Sequence, residues 1–230
     1  MLKKNTVAVV LFSGGLDSTT VATFAKNKGF DVYAISFDYG QRNKDELQCA
    51  VKVADCLGLK HVVLSLDINV FSHSDSSLVN LGHDVEIGSS VLSNKVPNTY
   101  VPARNMLFIS HGISYLESIG GLDLFIGVNT LDYGNYPDCR REFIDAMENA
   151  ATLGSKICHN NGSKYTIHTP IINMNKAEII KLGTELGIDY SLTLSCYNPK
   201  NKLACGICLS CTLRKKGFAQ AGLKDVTRYF

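Results

Sequence analysis

The chain has 230 residues, and 23 Lys and Arg side chains against 21 Asp and Glu give it a formal net charge of +2. Hydrophobic residues make up 45% of the chain, which is typical of a globular protein and excludes a disordered one. A charge so close to neutral gives no sign of the basic face that binding to duplex nucleic acid requires, so we expect no nucleic-acid partner.

Predicted strands and helices alternate along most of the chain. Residues 6–12 form a continuous apolar run rich in valine, which is typical of a strand buried on both faces of a parallel sheet. Strands are predicted over residues 6–12, 31–37, 61–66, 122–128 and 165–169. Helices are predicted over residues 17–28, 43–57, 103–118, 139–153 and 175–187, the last with Asn175 as its cap. This order indicates right-handed strand–helix–strand units and an α/β fold with a doubly wound parallel sheet.

Residues 71–101 interrupt the alternation. The segment is rich in Ser, Asn, Gly and Asp and has no sustained period of either a strand or a helix. A connection of about thirty residues is uncommon in a compact domain unless it is functional or disordered. We therefore predict that residues 71–101 form an active-site loop or lid.

The turn after the first strand has the sequence Ser-Gly-Gly-Leu-Asp-Ser over residues 13–18. Its glycines let the backbone approach an anion closely, and the start of the following helix offers free N–H groups and a positive dipole end. The hydroxyls of Ser13 and Ser18 can add hydrogen bonds, and Asp17 can hold the Mg²⁺ that accompanies a nucleotide. Neither the Walker A pattern nor G-x-G-x-x-G is present. A simple Gly-Gly turn with a Ser or Asp helix cap would also fit these six residues.

Further polar side chains follow the later strands. Arg104 and Asn105 begin the predicted helix over 103–118, and the residues after the fourth strand include Asn129, Asp132, Tyr136, Asp138 and Arg140. An isolated loop charge is usually only solvated, but the carboxyl ends of parallel strands meet at one edge of the sheet. These side chains therefore predict a ligand site at the same edge as the turn after the first strand.

Four of the eight cysteines are closely spaced, in the pattern Cys196-x8-Cys205-x2-Cys208-x2-Cys211. Four thiolates at such spacing can converge on one tetrahedral ion, which predicts one structural Zn²⁺ per chain. An iron–sulfur cluster is the alternative, because C-x2-C-x2-C also begins the ferredoxin pattern.

The metal would stabilise a tail that has too little apolar content to fold alone. We therefore expect residues 1–190 to form the α/β core and residues 191–230 the zinc-binding tail. No export signal is visible, and no run of about 18 apolar residues occurs. We predict a cytoplasmic protein with no membrane partner, whose thiols stay reduced.

Several segments together resemble the QueC family, which belongs to the PP-loop ATP pyrophosphatases. The Ser-Gly-Gly-x-Asp-Ser turn is shared across that superfamily, whereas the segment over 136–140 combined with the four-cysteine tail is much narrower. The matching segments span residues 12–218, nearly the whole chain. They are Phe12-Ser-Gly-Gly-Leu-Asp-Ser-Thr-Thr20, Val101-Pro-Ala-Arg-Asn105, Tyr136-Pro-Asp-Cys-Arg140, Lys176-Ala-Glu178, Thr193-Leu-Ser-Cys-Tyr197, Cys205-Gly-Ile-Cys-Leu-Ser-Cys211 and Leu213-Arg-Lys-Lys-Gly-Phe218.

The resemblance implies an ATP-dependent carbon–nitrogen ligase of queuosine biosynthesis with a Rossmann-like PP-loop fold. Its partners would be ATP with Mg²⁺, 7-carboxy-7-deazaguanine and ammonium, and its product 7-cyano-7-deazaguanine, formed through an adenylated carboxylate and an amide. The ATP-binding residues would be Phe12, Ser13, Gly14, Gly15, Leu16, Asp17, Ser18, Thr19, Thr20, Ser36 and Phe37. The substrate-binding residues would be Asn129, Asp132, Tyr136 and Asp138, and the catalytic residues Asp17, Arg104 and Arg140.

Two other classes of protein stay open at this point. A PP-loop enzyme that modifies tRNA, such as a thiolase or a lysidine synthetase, would be expected to carry an appended basic domain or a pair of catalytic thiols. A non-enzymatic zinc-knuckle binding module would be expected to lack the phosphate-binding turn. The sequence is compatible with a monomer as well as with a homodimer.

Overall fold

The computed structural model describes residues 6–88, 95–133 and 136–230, except for the side chains of residues 132 and 133. At its centre lies a five-stranded sheet with the order β3-β2-β1-β4-β5, in which every neighbouring pair is parallel. The strands are β1 (Val7–Leu11), β2 (Asp31–Asp38), β3 (Lys60–Ser65), β4 (Asp123–Phe125) and β5 (Thr166–His168).

Helices cover both faces of this sheet. Those within the described residues are α1 (Leu16–Asn27), α2 (Asp45–Leu57), α3 (Arg104–Ser118), α4 (Thr130–Tyr133), α5 (Arg141–Gly154), α6 (Lys156–Asn161), α7 (Lys176–Glu185) and α8 (Leu209–Ala221). Because successive side chains of a strand point to opposite faces, β1 contributes to two cores. Val9 and Leu11 pack in one core with residues of α3 and α5, and Ala8 and Val10 in the other with residues of α1, α2 and α7.

The strand order places the functional edge of the sheet. The chain leaves β1 toward β2 on one side and later returns to add β4 on the other side of β1. In open α/β sheets, ligands bind at such a switch point, outside the carboxyl ends of the strands. The turn after β1 therefore lies where a crevice is expected.

The predicted α/β fold class with a doubly wound parallel sheet is confirmed. The five predicted strands are present, although β4 ends at Phe125 rather than at residue 128. Beyond it, the backbone N–H groups of Ile126 and Thr130 donate to the carbonyls of His168 and Ile172, so the chain continues beside β5 and the residues that follow it. Asn175 caps α7 as predicted, in a reciprocal capping box with Glu178.

Helix α8 was not predicted, because its residues follow directly from the cysteine pattern and include Gly217 in the helix interior. It packs along α7 and contributes Phe218 to the core on that face of the sheet. Buried Arg214 donates to Thr193 Oγ1 (2.8 Å), to the carbonyl of Tyr190 (3.1 Å) and to Asp225 (3.1 Å). The division of the chain into residues 1–190 and 191–230 stays a prediction.

Among the described helices, none combines the length and the apolar character that crossing a membrane requires.

Candidate functional site

A cavity of about 260 Å³ opens at the carboxyl edge of the sheet, beside the ends of β1, β2 and β4. It lies at the switch point between β2 and β4, where the fold predicts a ligand site. The polar and charged part of its lining comprises Ser13, Asp17, Ser18, Ser36, Tyr39, Gln41, Arg42, Asn43, Glu46, Arg104, Asn105, Asn129, Tyr136, Ser195, Tyr197 and Ser210.

The turn between β1 and α1 is held by hydrogen bonds between its backbone and the hydroxyls of its own serines. Ser18 Oγ accepts a hydrogen bond from the backbone N–H of Ser13 (3.2 Å) and lies 3.1 Å from Ser13 Oγ. Ser13 Oγ in turn accepts from the N–H of Gly15 (3.3 Å). This arrangement presents the N-terminal end of α1, with its free N–H groups and positive dipole end, to the cavity.

Asp17 is held by a cation from a distant helix. Lys176 Nζ, at the start of α7, lies 2.8 Å from both carboxylate oxygens of Asp17, and the two side chains are only 7% and 20% exposed. Helix α8 makes room for this lysine, because a Cβ at Gly217 would lie 2.5 Å from Lys176 Cγ. The ion pair therefore fixes the orientation of the Asp17 carboxylate through contacts that involve α7 and α8.

The segment that carries the first cysteine of the cluster lies directly against the turn after β1. Ser195 Oγ accepts a hydrogen bond from the backbone N–H of Leu16 (2.9 Å). Ser210, in α8, donates to the carbonyl of Ser195, and Asn43 Nδ2, just before α2, donates to the carbonyl of Cys196 (2.8 Å). The cysteine-rich segment thus contacts the starts of both α1 and α2.

Arg104 and Glu46 supply opposite charges to the wall of the cavity. Arg104 Nη1 donates to the hydroxyl of Tyr39 (3.2 Å). Burial opposes the charge on Arg104, but the hydroxyl of Tyr39 holds its pKa above the ordinary value, so the guanidinium stays charged. Burial raises the pKa of Glu46 to about 7, although Arg104 and a hydrogen bond with Ser13 favour its ionised form.

An aromatic pair forms the apolar part of the wall. Phe37, at the end of β2, stacks on Phe108 of α3 with ring centroids 4.1 Å apart and an interplanar angle of 4°. The neighbouring Ser36 is buried, and its hydroxyl donates to the carbonyl of Phe12 (2.6 Å) and lies 2.7 Å from His61 Nε2. Desolvation lowers the pKa of His61, so the ring is neutral at pH 7 and links β3 to the end of β2.

The residues after β4 complete the site. Asn129 is fully buried and donates from Nδ2 to the carbonyl of Ile171 (2.9 Å), and the hydroxyl of Tyr136 bonds with that of Thr99. Asp138 lies behind the lining and accepts from the backbone N–H of Asn105 at the start of α3 (3.2 Å). These contacts hold the loop after β4 against the residues that follow β5 and against the start of α3.

Most of the side chains that the sequence singles out lie together at this cavity. Its lining includes the predicted ATP-binding residues Phe12, Ser13, Gly15, Leu16, Asp17, Ser18, Ser36 and Phe37. It also includes Arg104, Asn129 and Tyr136, whereas Gly14, Thr19, Thr20, Asp138 and Arg140 do not line it. Arg140 is exposed, and the side chain of Asp132 lies outside the described residues.

Cys139 lines the cavity and is buried, but it is not a ready nucleophile. Burial raises the pKa of its thiol to about 12, with the charge of Asp138 acting in the same direction. A thiol with this pKa carries its proton at neutral pH and behaves as an apolar wall residue.

Sequence reasoning missed several residues that the fold brings to the cavity. Tyr39, Gln41, Asn43 and Glu46 come from the connection between β2 and α2 and from the start of α2, and Ser195 comes from the far end of the chain. For Lys176 and Ser195 a signal was available, because they lie in the matched Lys-Ala-Glu and Thr-Leu-Ser-Cys-Tyr segments.

The predicted loop over 71–101 reaches both the cavity and the cysteine cluster. Leu78 lines the cavity. Arg42 donates to the carbonyls of Ser77 (2.8 Å) and His83 (2.6 Å), so the loop wraps around its guanidinium. Ile87 pairs in an antiparallel bridge with Cys208. Residues 89–94 of the loop lie outside the described residues, and its action as a lid stays a prediction.

The four clustered cysteines form a candidate metal centre. Their Sγ atoms all lie within 4.8 Å of one another and are buried. A tetrahedral site with Zn–S bonds of about 2.3 Å requires sulfur atoms about 3.8 Å apart, so the cluster fits a metal ion with little adjustment. The backbone N–H groups of Cys205 and Cys208 donate to the sulfur atoms of Cys196 (3.2 Å) and Cys205 (3.3 Å), as expected around metal-bound thiolates.

Replacing Gly14 with alanine tests how the turn after β1 is held in place. Gly14 has φ +73°, and a Cβ there would lie 2.5 Å from backbone atoms of Ala50 in α2. Gly29 has φ +89° but nothing within 4 Å of such a Cβ. We expect Gly29→Ala to lower the free energy of unfolding by only about 1–2 kcal/mol, the cost of the left-handed conformation. Gly14→Ala should cost more and also weaken ATP binding, because the turn must move away from α2.

Thermal denaturation and calorimetric titration of ATP on the two variants check this prediction. Equal losses of stability, with unchanged ATP binding in Gly14→Ala, would contradict it.

The geometry first defines a class of protein. A doubly wound parallel sheet whose first crossover begins with Ser-Gly-Gly-Leu-Asp-Ser, above a polar cavity at the switch point, is a PP-loop-type nucleotide-binding fold. The solved structure of an NMN synthetase from Francisella tularensis shares this fold, with a TM-score of 0.53 and 16% identity over 97% of this chain and 79% of that chain.

The chain belongs to the QueC family: the family model described as "Queuosine biosynthesis protein QueC" matches residues 7–222. It is 47% identical over 224 residues to the 7-cyano-7-deazaguanine synthase of Geotalea uraniireducens (strain Rf4), a match that covers 96% of both chains. It is 49% identical over 228 residues to the protein of the same name from Syntrophobacter fumaroxidans (strain DSM 10017 / MPOB), covering 96% of this chain and 95% of that one. The resemblance that the sequence motifs indicate is confirmed.

Proposed function

We propose that this chain is an ATP-dependent ligase that converts 7-carboxy-7-deazaguanine and ammonium into 7-cyano-7-deazaguanine. The observation that carries the proposal is a single cavity that joins the turn at the start of α1 to a wall containing Arg104, Asn129 and Tyr136. A nucleotide and an acceptor carboxylate can therefore meet in one place. The name of its relatives, 7-cyano-7-deazaguanine synthase, supports this choice of product over a tRNA modification.

The chemistry explains why ATP is needed. A carboxylate resists ammonia because hydroxide is a poor leaving group, whereas an adenylated carboxylate releases AMP. Attack by ammonia then gives a primary amide. Adenylation of the amide oxygen lets that oxygen leave as well, which produces the nitrile. One phosphate site serves both activations, since each requires an oxygen held in line with the α-phosphate.

In this proposal the turn at the start of α1 holds the pyrophosphate that leaves. Backbone N–H groups at the helix start and the hydroxyls of Ser13 and Ser18 are its donors, and Asp17 holds the accompanying Mg²⁺. Phe12, Gly14, Gly15, Leu16, Thr19 and Thr20 shape the turn and the first turns of α1, and Ser36 and Phe37 lie where the adenine would contact the end of β2.

Arg104 is the proposed electrostatic stabiliser of the α-phosphate during adenylation. Its guanidinium stays charged beside Tyr39 and lines the cavity, which is what that role requires. Arg140 was predicted for the same role. It is exposed and outside the lining, so its participation would require the loop after β4 to move.

The deazaguanine ring is proposed to lie against the loop that follows β4. Carboxylates match the N1–H and 2-amino donors of such a ring, which is the reason for assigning Asp132 and Asp138 to it. Asn129 and Tyr136 line the cavity. Asp138 does not line it, but its carboxylate accepts a hydrogen bond from the backbone N–H of Asn105, which does.

The tail over 191–230 is proposed to bind one structural Zn²⁺ through Cys196, Cys205, Cys208 and Cys211. Four thiolates leave no open position for a substrate, so the ion supplies folding stability rather than catalysis. Thiol ligands persist where the surroundings keep them reduced, which supports the cytoplasm as the place of action.

Mass spectrometry of the products formed from 7-carboxy-7-deazaguanine, ATP and ammonium tests the proposed function. We expect the amide to appear first and the nitrile to accumulate, with two ATP molecules consumed for each nitrile. ATP binding with neither amide nor nitrile would contradict the proposed substrate while leaving the nucleotide-binding fold intact.

A further inference from the structure

The conversion of ammonium into a nitrile nitrogen, which the proposed function includes, requires a proton acceptor beside the adenylated acyl carbon. Ammonium enters with four hydrogens, and the nitrile nitrogen keeps none. No oxidant or reductant takes part, so all four leave as protons: one before attack on the adenylate, one as the amide forms, one as the amide oxygen is adenylated and one as the nitrile forms. A positioned base accelerates such transfers, typically by about 10²–10⁴-fold.

Few of the residues around the cavity can take a proton at neutral pH. Among the described lining residues there is no histidine or lysine, and the carboxylates are Asp17 and Glu46. Burial raises the pKa values of Tyr39, Tyr136 and Cys139, so these groups hold their own protons. Asp17 pairs with Lys176 through both oxygens at 2.8 Å, and the proposed function assigns its remaining lone pairs to Mg²⁺.

Glu46 occupies a fixed position between the phosphate-binding turn and the charged wall. It is the second residue of α2, and its backbone N–H donates to Asn43 Oδ1 (3.1 Å). The same Asn43 side chain is anchored on the carbonyl of Cys196 (2.8 Å). The carboxyl of Glu46 reaches Ser13 in the turn, so it lies next to the place where pyrophosphate leaves and the activated carbon remains.

The charges around Glu46 suit a group that gains and loses a proton in each cycle. Arg104 of α3 faces it and favours the ionised carboxylate, while Tyr39 after β2 and Cys49 of α2 are neutral neighbours whose own ionisation its charge opposes. Burial dominates and raises the pKa of Glu46 to about 7. A base with its pKa near the working pH combines availability with driving force.

We propose that Glu46 is a catalytic base that binds ammonium and accepts protons from the reacting nitrogen. In the first step the ammonium N–H bond breaks and the proton moves to a Glu46 oxygen. The nitrogen lone pair then forms the C–N bond to the acyl carbon, and the C–O bond to AMP breaks with its electron pair on AMP. Glu46 returns its proton to water at the mouth of the cavity before the next transfer. This inference rests on the proposed function.

Glu46→Gln keeps the shape of the side chain and removes its basicity. ATP–pyrophosphate exchange with 7-carboxy-7-deazaguanine, measured without ammonium, should stay within about threefold of the wild type, whereas amide formation with ammonium should fall by about 10²–10⁴-fold. Glu46→Asp should recover part of the amide formation. Asp45→Asn, which removes the neighbouring carboxylate outside the cavity lining, serves as the matched control and should retain both reactions.

The pH profile separates a base from a merely structural residue. A base works only when ionised, so at constant ammonium concentration the wild-type rate of amide formation should rise with pH and level off above about 7, whereas the slower rate of Glu46→Gln should keep rising with the concentration of free ammonia. Equal loss of exchange and of amide formation would overturn the proposal, because Glu46 would then serve ATP or its metal ion. Unchanged amide formation in Glu46→Gln would also overturn it. A wild-type protein that forms neither amide nor nitrile would contradict the proposed function itself.

Discussion

Asp17→Asn is expected to lower ATP-dependent product formation by about 10²–10³-fold, the loss typical of removing one preorganised charge from a site. Asp17 lies in the first turn of α1 and lines the cavity, so its carboxylate is the group best placed to hold a metal ion that accompanies the nucleotide phosphates. Steady-state pyrophosphate release at saturating ATP and Mg²⁺ measures the loss. Activity close to that of the wild type would contradict the assignment of Asp17 to the metal.

Asparagine tests the role of Asp17 in activity better than alanine does, because Asp17 also forms an ion pair with Lys176 that stabilises the fold. Lys176 is 7% exposed, and truncating Asp17 to alanine breaks the buried ion pair between the two side chains. Breaking a buried ion pair in this way costs about 3–5 kcal/mol. We therefore expect Asp17→Ala to lose stability as well as activity, whereas the double variant Asp17→Ala/Lys176→Met should regain stability and stay inactive.

A second aspartate–lysine pair provides the control. Asp31 and Lys60 lie 2.7 Å apart at the surface, with side chains 37% and 53% exposed. Exposed pairs contribute about 0–1 kcal/mol, so Asp31→Asn should change neither the free energy of unfolding nor the activity appreciably. Chemical denaturation of the two asparagine variants, set beside their rates, distinguishes loss of function from loss of fold.

The start of the chain shows what the sequence can predict. A valine-rich run followed by Ser-Gly-Gly and an apolar helix predicted β1 over residues 6–12 and α1 over residues 17–28, and the structure has Val7–Leu11 and Leu16–Asn27. These signals are local, since burial on both faces dictates the composition of the strand and the turn needs glycine.

The site was harder to predict, because its geometry comes from contacts between residues far apart in the chain. Ser195 and Leu16 are separated by 179 positions and are joined by one hydrogen bond, and Asp17 and Lys176 by 159 positions. Glu46 looks like an ordinary charge in the first turn of an amphipathic helix. The side chain of Glu46 faces the cavity only because α2 packs beside the loop that follows β1.

Helix α8 was missed for a related reason. Its residues carry three successive basic side chains and an internal glycine, which do not form the apolar stripe of an ordinary helix. Tertiary contacts supply the missing signal: Arg214 is only 2% exposed and bonds with Asp225, while Gly217 lets α7 approach closely. Gly217 therefore serves close packing rather than flexibility.

The cysteine cluster and the turn after β1 are physically linked, so a metal ion bound by the cluster would have an effect beyond the tail. Cys196 is preceded by Ser195, whose hydroxyl accepts from the N–H of Leu16, and α8 begins directly after Cys208. Helix α8 also carries Gly217, beside the lysine that holds Asp17. A change at the metal centre should therefore reach both the turn and its aspartate.

Removing the metal is expected to unfold the region around α8 and to weaken ATP binding by more than tenfold. Structural Zn²⁺ contributes about 10–16 kcal/mol in small zinc-binding peptides, more than we expect the packing of α8 along α7 to replace. Cys208→Ser and chelation of the wild-type protein should give the same result, while Cys56→Ser, at an exposed cysteine outside the cluster, should have no effect. Hydrogen exchange of the α8 amides, calorimetric titration of ATP and metal analysis measure the three quantities.

Metal analysis should find close to one zinc per chain, and a brown, iron-rich protein would overturn the assignment of zinc.

Ser195→Ala tests the hydrogen bond between the cysteine-rich segment and Leu16 separately from the fold, because the variant keeps the four thiols and loses only that bond. A bond worth about 0.5–1.5 kcal/mol corresponds to an increase of about 2–10-fold in the Kd for ATP, with the zinc content unchanged. Ser118→Ala, which removes an exposed serine–carbonyl bond at the end of α3, is the control. If ATP binds Ser195→Ala and the metal-free protein as tightly as the wild type, the metal centre stabilises only its own tail.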